Sequence, residues 1–181
     1  ESSDNAEGGA IYSSSALVIR NSTFDSNYVY ANNSNEDYSA YAQGGAIKCS
    51  GVSFIFNSLF TNNYAQMAST LYGGAWGGAI AASGTTTIVD SSFLNNGVYN
   101  AYDRKNITSG AIYSGDKLNI ISLNKDVLFE GNISGSNIGA SDIVSNAIDT
   151  SSTFNLNAGK HNIIFNDRIT GRYGGTLNVN Q

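Results

Sequence analysis

Two short sequence words recur along the chain at a nearly constant period, and this repetition limits the fold more than any other feature. The first word is Gly-Gly-Ala-Ile, which weakens toward the end of the chain and stands at 8–11, 44–47, 77–80, 109–112 and 145–148. The second word is Phe-x-x-Asn, and its copies begin at Phe24, Phe60, Phe93, Phe129 and, with Arg168 in place of the Asn, Phe165. Successive Phe residues are 36, 33, 36 and 36 positions apart. A period of this length is typical of solenoids and arrays.

Short strands are predicted inside each repeat, because inward and outward residue types alternate around the recurring positions. The Ile of the first word is followed by a residue of variable type, as in Ile47-Lys48 and Ile112-Tyr113. The same period of two surrounds a second Ile and the Phe, as expected for strands with one buried face. The interval from Ile to Phe is 13 residues in the first three copies and 17 in the last two. Each repeat is therefore predicted to contain three short strands joined by turns, and no window shows a helical stripe.

Three strands per repeat, each stacked on its counterpart in the next repeat, predict an all-β fold, a parallel β-helix of about five coils. Long loops are expected on one corner, at residues 28–43, 64–76, 97–108 and 133–144. The Phe column should point inward and stack. The Asn that closes the second word should form a hydrogen-bonded ladder at a corner, with the members Asn27, Asn63, Asn96 and Asn132. A second ladder is expected three residues before each Phe, at Asn21, Asn57, Asp90, Asp126 and Asn162.

Composition and charge bound the domain organisation and the partners. Residues 1–181 are predicted to form one solenoid domain, with intact words in 8–96 and degenerate coils in 109–180. Because the pattern runs to both ends of the chain, we interpret it as a fragment of a longer protein. The net charge of −5 argues against nucleic acid as a partner. Cys49 is the only cysteine and His161 the only histidine, so the sequence predicts no disulfide, no metal site and no cofactor.

The repeated Gly-Gly-Ala-Ile and Phe-x-x-Asn words resemble those of the polymorphic outer-membrane proteins of chlamydiae, which are autotransporter passengers and adhesins. The segment from Asn146-Ala147-Ile148 to Phe165-Asn166-Asp167-Arg168-Ile169-Thr170 also resembles the part of such passengers that usually ends in Phe-x-Asp-Pro-Ile. This resemblance implies a right-handed parallel β-helix at the bacterial cell surface or outer membrane, or secreted, held to the membrane only by a separate C-terminal barrel. Arg168 in place of Pro and the single Cys49 favour the wider autotransporter class over its chlamydial members.

The long loops are the predicted binding side, because nine of the twelve Tyr and Trp residues lie in them. Tyr with Ser, Asn and Gly gives rigid contact area together with adaptable hydrogen bonding, and stacked rings also suit the faces of sugars. Since the loops leave successive coils at one corner, they are expected to form one surface. The candidate ligand-binding residues are Tyr30, Tyr38, Tyr72, Trp76 and Tyr102. The alternative interpretation is that these rings only cover the strands beneath them.

The predicted function is a non-enzymatic, adhesin-type module that attaches to a host-cell surface protein or glycan, or to other cells. Two alternatives remain open, a passive stalk of a passenger domain and a polysaccharide-cleaving β-helix. The enzyme alternative depends on Asp90 and Asp126, whose shared column would place their carboxyl groups about 5 Å apart, as in a retaining glycosidase. Asn fills the same column in other coils, which favours a corner ladder, and no catalytic residue is nominated.

Overall fold

The protein is an all-β solenoid in which almost every strand pairs in parallel with its counterpart one turn away. A computed structural model describes residues 5–32, 39–68, 73–101, 109–171 and 176–180, and every regular element in these ranges is a strand. The predicted class, a parallel β-helix, is confirmed. The solenoid makes about four turns, slightly fewer than the five predicted. The last step is short, because Ile148 pairs with Ile169, which is only 21 residues further along the chain.

Three parallel sheets enclose the main core, and together they are called the body. Sheet I consists of β2 (Ile11–Ser13), β7 (Ile47–Cys49), β12 (Ile80–Ala82), β16 (Ile112–Ser114), β21 (Ile148–Thr150) and β24 (Ile169–Gly171). Sheet II consists of β3 (Leu17–Arg20), β8 (Ser53–Phe56), β13 (Thr86–Val89), β17 (Leu118–Ile121), β22 (Phe154–Asn157) and β25 (Leu177–Asn180). Sheet III consists of β4 (Thr23–Asp25), β9 (Leu59–Thr61), β14 (Ser92–Leu94), β18 (Val127–Glu130) and β23 (Ile163–Phe165).

The body core is built from columns of identical residues, as the repeats predict. The rings of the five repeat Phe residues stack one on another, with centroids 4.7 to 5.0 Å apart and planes within 12° of parallel. Phe60, Phe93 and Phe129 in the middle of the stack have no exposed surface. A second column runs down sheet I through Ile47, Ile80 and further Ile residues that are equally buried. The inward direction of the Phe column is therefore confirmed.

The regions predicted to be long loops contain two further sheets, so the expectation of three strands per coil is wrong for the first turns. The outgoing sheet follows sheet III and consists of β5 (Tyr28–Ala31), β10 (Tyr64–Met67), β15 (Gly97–Asn100), β19 (Ile133–Gly135) and β20 (Val144–Ser145). The returning sheet leads back to sheet I and consists of β1 (Ala6–Glu7), β6 (Ala40–Gln43) and β11 (Gly73–Trp76). These two sheets pack face to face, and together they are called the fin.

The fin closes at its C-terminal side through a change of strand direction. After Gly135 the chain turns back along the outgoing sheet, and β20 pairs antiparallel with β19, with Ile133 opposite Ser145. Every other strand pairing among the described residues is parallel, so β20 is the one strand in them that does not continue the solenoid. From β23 the chain then passes directly through residues 166–168 into β24 of sheet I.

The Gly-Gly pair of the first word lies where the returning chain reaches the body beside the start of the outgoing sheet. Gly44 has a φ of +67°, in the left-handed region that favours glycine. A Cβ on Gly45 would overlap the carbonyl oxygen of Gly78 and the backbone of Tyr64. The first glycine therefore makes the bend, and the second lets two backbones pass in contact at the base of the fin.

The second predicted ladder forms only in separate pairs. At its N-terminal end Asn57 Nδ2 donates to Asn21 Oδ1 at 2.8 Å, and both residues have positive φ. At the other end Asn162 Nδ2 donates to Asp126 Oδ1 at 3.3 Å. Asp90 breaks the series, because its carboxylate is occupied by the inserted turn that lengthens the fourth repeat. One continuous ladder through this column is therefore wrong.

Candidate functional site

The fin has two outer faces that point in opposite directions, because its inner faces are closed against each other by small apolar side chains. Val29 and Ala31 of the outgoing sheet share one buried cluster with Ala42 and Ala75 of the returning sheet. Successive residues of a strand point to opposite sides of the sheet. The residues between and beside these positions therefore lie on two separate surfaces, one on each sheet.

The outer face of the outgoing sheet is rich in tyrosine and is called the tyrosine face, with the members Tyr28, Tyr30, Tyr64, Gln66 and Tyr99. Tyr28 and Tyr30 are 48% and 45% exposed, and their ring centroids are 6.2 Å apart. The Tyr28 hydroxyl donates to Gln66 Oε1 at 3.3 Å, which ties adjacent turns together. Tyr64 and Tyr99 form a second, tilted ring pair with centroids 5.9 Å apart, and Tyr99 is buried. The face therefore grades from exposed rings on the first turn to a covered ring on the third.

Two phenols of the tyrosine face, those of Tyr28 and Tyr99, stay protonated at neutral pH. Burial, with a smaller contribution from Tyr64, raises the pKa of Tyr99 to about 12. Burial and the neighbouring Tyr30 also raise the pKa of Tyr28. A neutral phenol can both donate and accept a hydrogen bond. The face thus combines aromatic area with uncharged hydroxyls.

The outer face of the returning sheet carries a different aromatic arrangement. Trp76 lies between Tyr41 and Tyr113, with ring centroids 5.0 Å and 5.8 Å away and planes within 26° of parallel. All three rings are half-buried. The three stacked rings join the fin to the body, since Tyr113 belongs to sheet I.

Lys48 lies nearby in sheet I. Burial lowers the pKa of Lys48, while the charge of Glu7 opposes that shift. Lys48 Nζ donates to Ser83 Oγ at 3.1 Å.

The two candidate binding residues that the structure describes, Tyr30 and Trp76, do not lie on one surface as expected. Tyr30 lies on the tyrosine face, whereas Trp76 lies on the outer face of the returning sheet, on the other side of the fin core. Tyr38, Tyr72 and Tyr102 fall outside the described residues, and their part of the prediction stays a prediction. The expectation of a single loop surface is wrong for the described parts of the loop regions, because these parts fold into a two-layer sheet with a buried interior.

Tyr28, Tyr64 and Tyr99 share the tyrosine face with Tyr30 but are not among the five predicted binding residues. An alternation of outward and inward residue types in the sequence could have identified them. Tyr28-Val29-Tyr30-Ala31 and Tyr64-Ala65-Gln66-Met67 alternate between outward polar rings or amides and inward apolar residues. Each inward residue of these two segments lies in the fin core.

The four Asn residues that close the second word are joined by hydrogen bonds along the length of the solenoid. The Nδ2 of each donates to the Oδ1 of the next at 2.8 to 2.9 Å, in the order Asn27, Asn63, Asn96 and Asn132. From Asn63 onward each Nδ2 also donates to the carbonyl oxygen of the Phe one turn earlier, as Asn96 does to Phe60. Both amide protons are thus used inside the protein, and the ladder is structural.

The ladder ends on a carboxylate that the repeat pattern does not reveal. Asn132 Nδ2 donates to Asp167 Oδ2 at 2.7 Å, and Asp167 Oδ1 accepts from the backbone amide of Gly131 at 3.1 Å. An ionised carboxylate only accepts hydrogen bonds, so it suits the end of a ladder in which every amide donates in the same direction. The fifth position of the column is therefore Asp167, and Arg168, which the word spacing aligned there, lies one residue further on.

The structure gives no support to an acid pair formed by Asp90 and Asp126. The Asp90 carboxylate is 6% exposed and accepts from the backbone amides of Leu123 and Asn124 and from Asn124 Nδ2. Burial raises its pKa, but these hydrogen bonds outweigh burial, and the net pKa of Asp90 lies below its ordinary value. Asp126 instead accepts from the backbone amide of Asn162 at 2.8 Å. The two carboxylates thus have separate partners.

Comparison with known proteins identifies no relative of this chain: no family model matches it, and no curated protein or solved structure matches it significantly. Among the described residues, no three His, Cys, Asp or Glu side chains are grouped so that they could hold a metal ion. The same residues contain no helix long and apolar enough to cross a membrane. Inference about function therefore rests on the surfaces of the solenoid and on the repeated words.

Proposed function

We propose that this chain is an adhesin-type binding module, displayed on a bacterial surface as part of an autotransporter passenger. The observation that carries the proposal is the tyrosine face, where Tyr28 and Tyr30 remain about half exposed on a rigid sheet. Exposed aromatic rings on a fixed surface are the residues that most often dominate the energy of a protein interface. The repeated words support the autotransporter part of the proposal through their resemblance to chlamydial passengers.

The partner is a cell-surface protein or a glycan on a host cell or on another cell. The neutral Tyr28 phenol beside Gln66 offers a hydrogen-bond donor and acceptor without a net charge. Rings that are held by strand backbone lose little conformational freedom on binding, because a Tyr side chain has only two main torsions. Attachment through this face requires neither a cofactor nor catalysis, so the proposed module is not an enzyme.

The alternative function as a passive stalk makes a different prediction for the same residues. A stalk needs the stacked body, which the Phe column and the Asn ladder supply, but it has no use for exposed rings on the fin. Substitutions confined to the tyrosine face therefore separate the two functions without disturbing the body core.

The test compares one double variant and two single variants in a cell-attachment assay with the labelled full chain. Replacing Tyr28 and Tyr30 with Ser should lower attachment about tenfold or more, as expected when two aromatic anchors are lost. Replacing Tyr12 with Ser is the matched control, since Tyr12 is 55% exposed but lies on sheet I. Replacing Tyr41 with Ser reports on the other side of the fin. Circular dichroism spectra of all variants should match that of the unmodified chain.

Two results would contradict the proposal. If the Tyr28 and Tyr30 double variant attaches as well as the unmodified chain, the tyrosine face is not the binding side and the stalk function gains. If the Tyr12 variant loses as much attachment as the double variant, attachment depends on non-specific contact of exposed rings and not on the tyrosine face.

A further inference from the structure

The outer face of sheet II carries a second, different surface, made of polar residues that repeat from strand to strand. Thr87 pairs with Asn119, Asn119 pairs with Asn155, and Asn155 pairs with Asn178, so these residues form one outward row called the rail. Their neighbours Ile88 and Ile120 point inward and are fully buried. Successive members of the rail are therefore separated by the distance between adjacent strands, about 4.8 Å.

Hydrogen bonds within the rail fix the orientation of its side chains. Asn119 Nδ2 donates to Thr87 Oγ1 at 3.1 Å, Asn155 Nδ2 donates to Asn119 Oδ1 at 2.8 Å, and Asn178 Nδ2 donates to Asn155 Oδ1 at 2.8 Å. A primary amide has two protons and its oxygen has two lone pairs. Each of these bonds uses one proton of the donating amide and one lone pair of the accepting oxygen. The side chains of Asn119 and Asn155 are only half-buried, so their second proton and second lone pair can reach the surface. Each central rung is thus pre-oriented with capacity to donate and to accept toward the outside.

This arrangement differs from that of the buried Asn ladder in a way that indicates a ligand. In the buried ladder the second proton of each amide goes to a Phe carbonyl oxygen, as from Asn96 to Phe60, so that all capacity is used internally. In the rail the second amide proton and the second oxygen lone pair of Asn119 and Asn155 face a shallow depression of about 390 Å³ on the surface of the protein. The residues that line the depression are Thr87, Asn119, Asn155, Asn157 and Asn180, together with Ile120 and Ile121.

An aromatic platform continues the rail at its N-terminal end. Phe54 pairs with Thr87 in the next strand, is 40% exposed, and stacks beside Phe56 with ring centroids 6.4 Å apart. The Arg20 guanidinium lies 4.1 Å from the centroid of the Phe56 ring and holds that ring in place. One continuous surface thus offers an apolar ring and then a series of amide rungs. A mixture of apolar area and a few fixed polar groups is typical of ligand sites.

We propose that the rail and the Phe54 platform bind an extended neutral polysaccharide that runs along the solenoid axis. Sugar hydroxyls donate and accept hydrogen bonds, as the rungs do, and a polysaccharide presents them at regular intervals. The depression has no acidic or basic side chain among its lining residues, which matches an uncharged chain. A peptide strand would instead add to a sheet edge, where backbone groups are free. The site lies on sheet II, so the inference goes beyond the tyrosine face and does not depend on it.

The test measures binding of the full chain to soluble mannan, galactan, dextran and β-glucan, with heparin as an acidic comparison, by biolayer interferometry. At least one neutral polysaccharide should bind. Asn155→Leu removes the donor and the acceptor of a central rung at similar volume and should weaken that binding about tenfold. Phe54→Ser should also weaken it by removing the platform. Asn166→Leu is the matched control, since Asn166 is exposed and lies outside the rail, and it should bind like the unmodified chain.

The outcomes either support the inference or overturn it. Binding to a neutral polysaccharide that Asn155→Leu and Phe54→Ser weaken, while Asn166→Leu does not, supports it. It is overturned if none of the four neutral polysaccharides binds, if only heparin binds, or if Asn155→Leu and Asn166→Leu behave alike while both keep the unfolding temperature of the unmodified chain. The Tyr28 and Tyr30 double variant should bind the polysaccharide normally, so failure here and failure of the adhesin proposal are distinguishable.

Discussion

The body and the fin are built from the same turns of chain but by different means. In the body, each turn contributes a Phe and an Ile to columns of identical side chains, and Phe60, Phe93 and Phe129 are completely buried. The fin core instead consists of small or flexible residues that differ from turn to turn, such as Val29, Ala65 and Met67. The tyrosine face is also irregular, with exposed rings on the first turn and a buried ring on the third.

This difference separates the part of the molecule that fixes the fold from the part that is free to vary. A column of identical residues constrains every member, because a change in one turn affects its contacts with the turns on both sides. The fin residues meet fewer constraints of this kind, so their outer faces can change without altering the body. Binding surfaces on a rigid scaffold are commonly placed in such variable regions. The comparison predicts that equivalent substitutions are more costly in the body than in the fin.

The largest effect is expected for Phe93→Ala, in the centre of the body core. Removing a completely buried ring that stacks on two others should lower the free energy of unfolding by about 3–5 kcal/mol. Urea unfolding followed by circular dichroism measures this loss. Phe54→Ala is the control, since Phe54 is 40% exposed and should cost much less. Equal losses for the two variants would mean that the stacked column does not dominate the stability of the body.

The next largest effect is expected for Asn96→Ala in the buried ladder. The substitution removes four hydrogen bonds. Asn96 Oδ1 accepts from the backbone amide and the Nδ2 of Asn63. Asn96 Nδ2 donates to the Phe60 carbonyl oxygen and to Asn132 Oδ1. Leaving buried polar groups unsatisfied should lower the free energy of unfolding by about 3 kcal/mol. Asn27→Ala, at the half-buried first rung, should cost only about 1 kcal/mol because its side chain makes one ladder bond. Equal losses for Asn27→Ala and Asn96→Ala would contradict this gradient.

A smaller effect is expected for Met67→Ala in the fin core. Met67 is 2% exposed, but its neighbours are small, so the loss should lie near the lower end of the range for such changes, about 2 kcal/mol. Native-state hydrogen exchange should show the loss of protection mainly in β5, β10 and β15, with the body strands unchanged. If Met67→Ala lowers protection of β9 and β14 as much as Phe93→Ala does, the fin and the body form one cooperative unit and the comparison fails.

The body could be predicted from the sequence because repetition makes each residue position visible several times. Ile47, Ile80 and Ile112 identify one inward column, and the Phe words identify another. The five-strand turns were missed because the fin has no shared word: Tyr28-Val29-Tyr30-Ala31 and Gly97-Val98-Tyr99-Asn100 have the same role with few residues in common. Short alternating segments of this kind are easily taken for variable loops.

The binding surfaces were predicted less well than the fold, because the sequence does not show in which direction the side chains of the fin point. Counting rings in the loop regions placed Tyr30 and Trp76 together, but only the fin core shows that they point to opposite sides. The last rung of the Asn ladder was also missed, since Asp167 lies one position before the residue that the word spacing selects. The rail on sheet II combines Thr87 with three Asn residues from different turns, and its hydrogen bonds depend on a register that the sequence alone does not give.

The smallest effect is expected for Asp90→Asn, at the point where the body accommodates the inserted turn of the fourth repeat. Asp90 lies at a φ of 52°, in the position where earlier turns have Asn, and its carboxylate binds the amides of the inserted turn through Leu123 and Asn124. Asp90→Asn keeps a residue type that tolerates this backbone, but it turns one acceptor oxygen into a donor that faces other donors. Because one acceptor remains, the free energy of unfolding at neutral pH should fall by only about 1–2 kcal/mol.

The pH dependence of this loss distinguishes the charge of Asp90 from its shape. Burial acts to raise the pKa of Asp90, but the hydrogen bonds from Asn124 and the backbone hold it below the ordinary value, so the ionised form stabilises the fold. Its contribution is therefore complete well above the ordinary aspartate pKa of about 3.9 and is lost as the pH falls through the lower folded-state pKa. The difference in unfolding free energy between the unmodified chain and Asp90→Asn should shrink on acidification from neutral pH. A difference that stays constant down to strongly acidic pH would show that the inserted turn needs only the shape of the side chain at position 90.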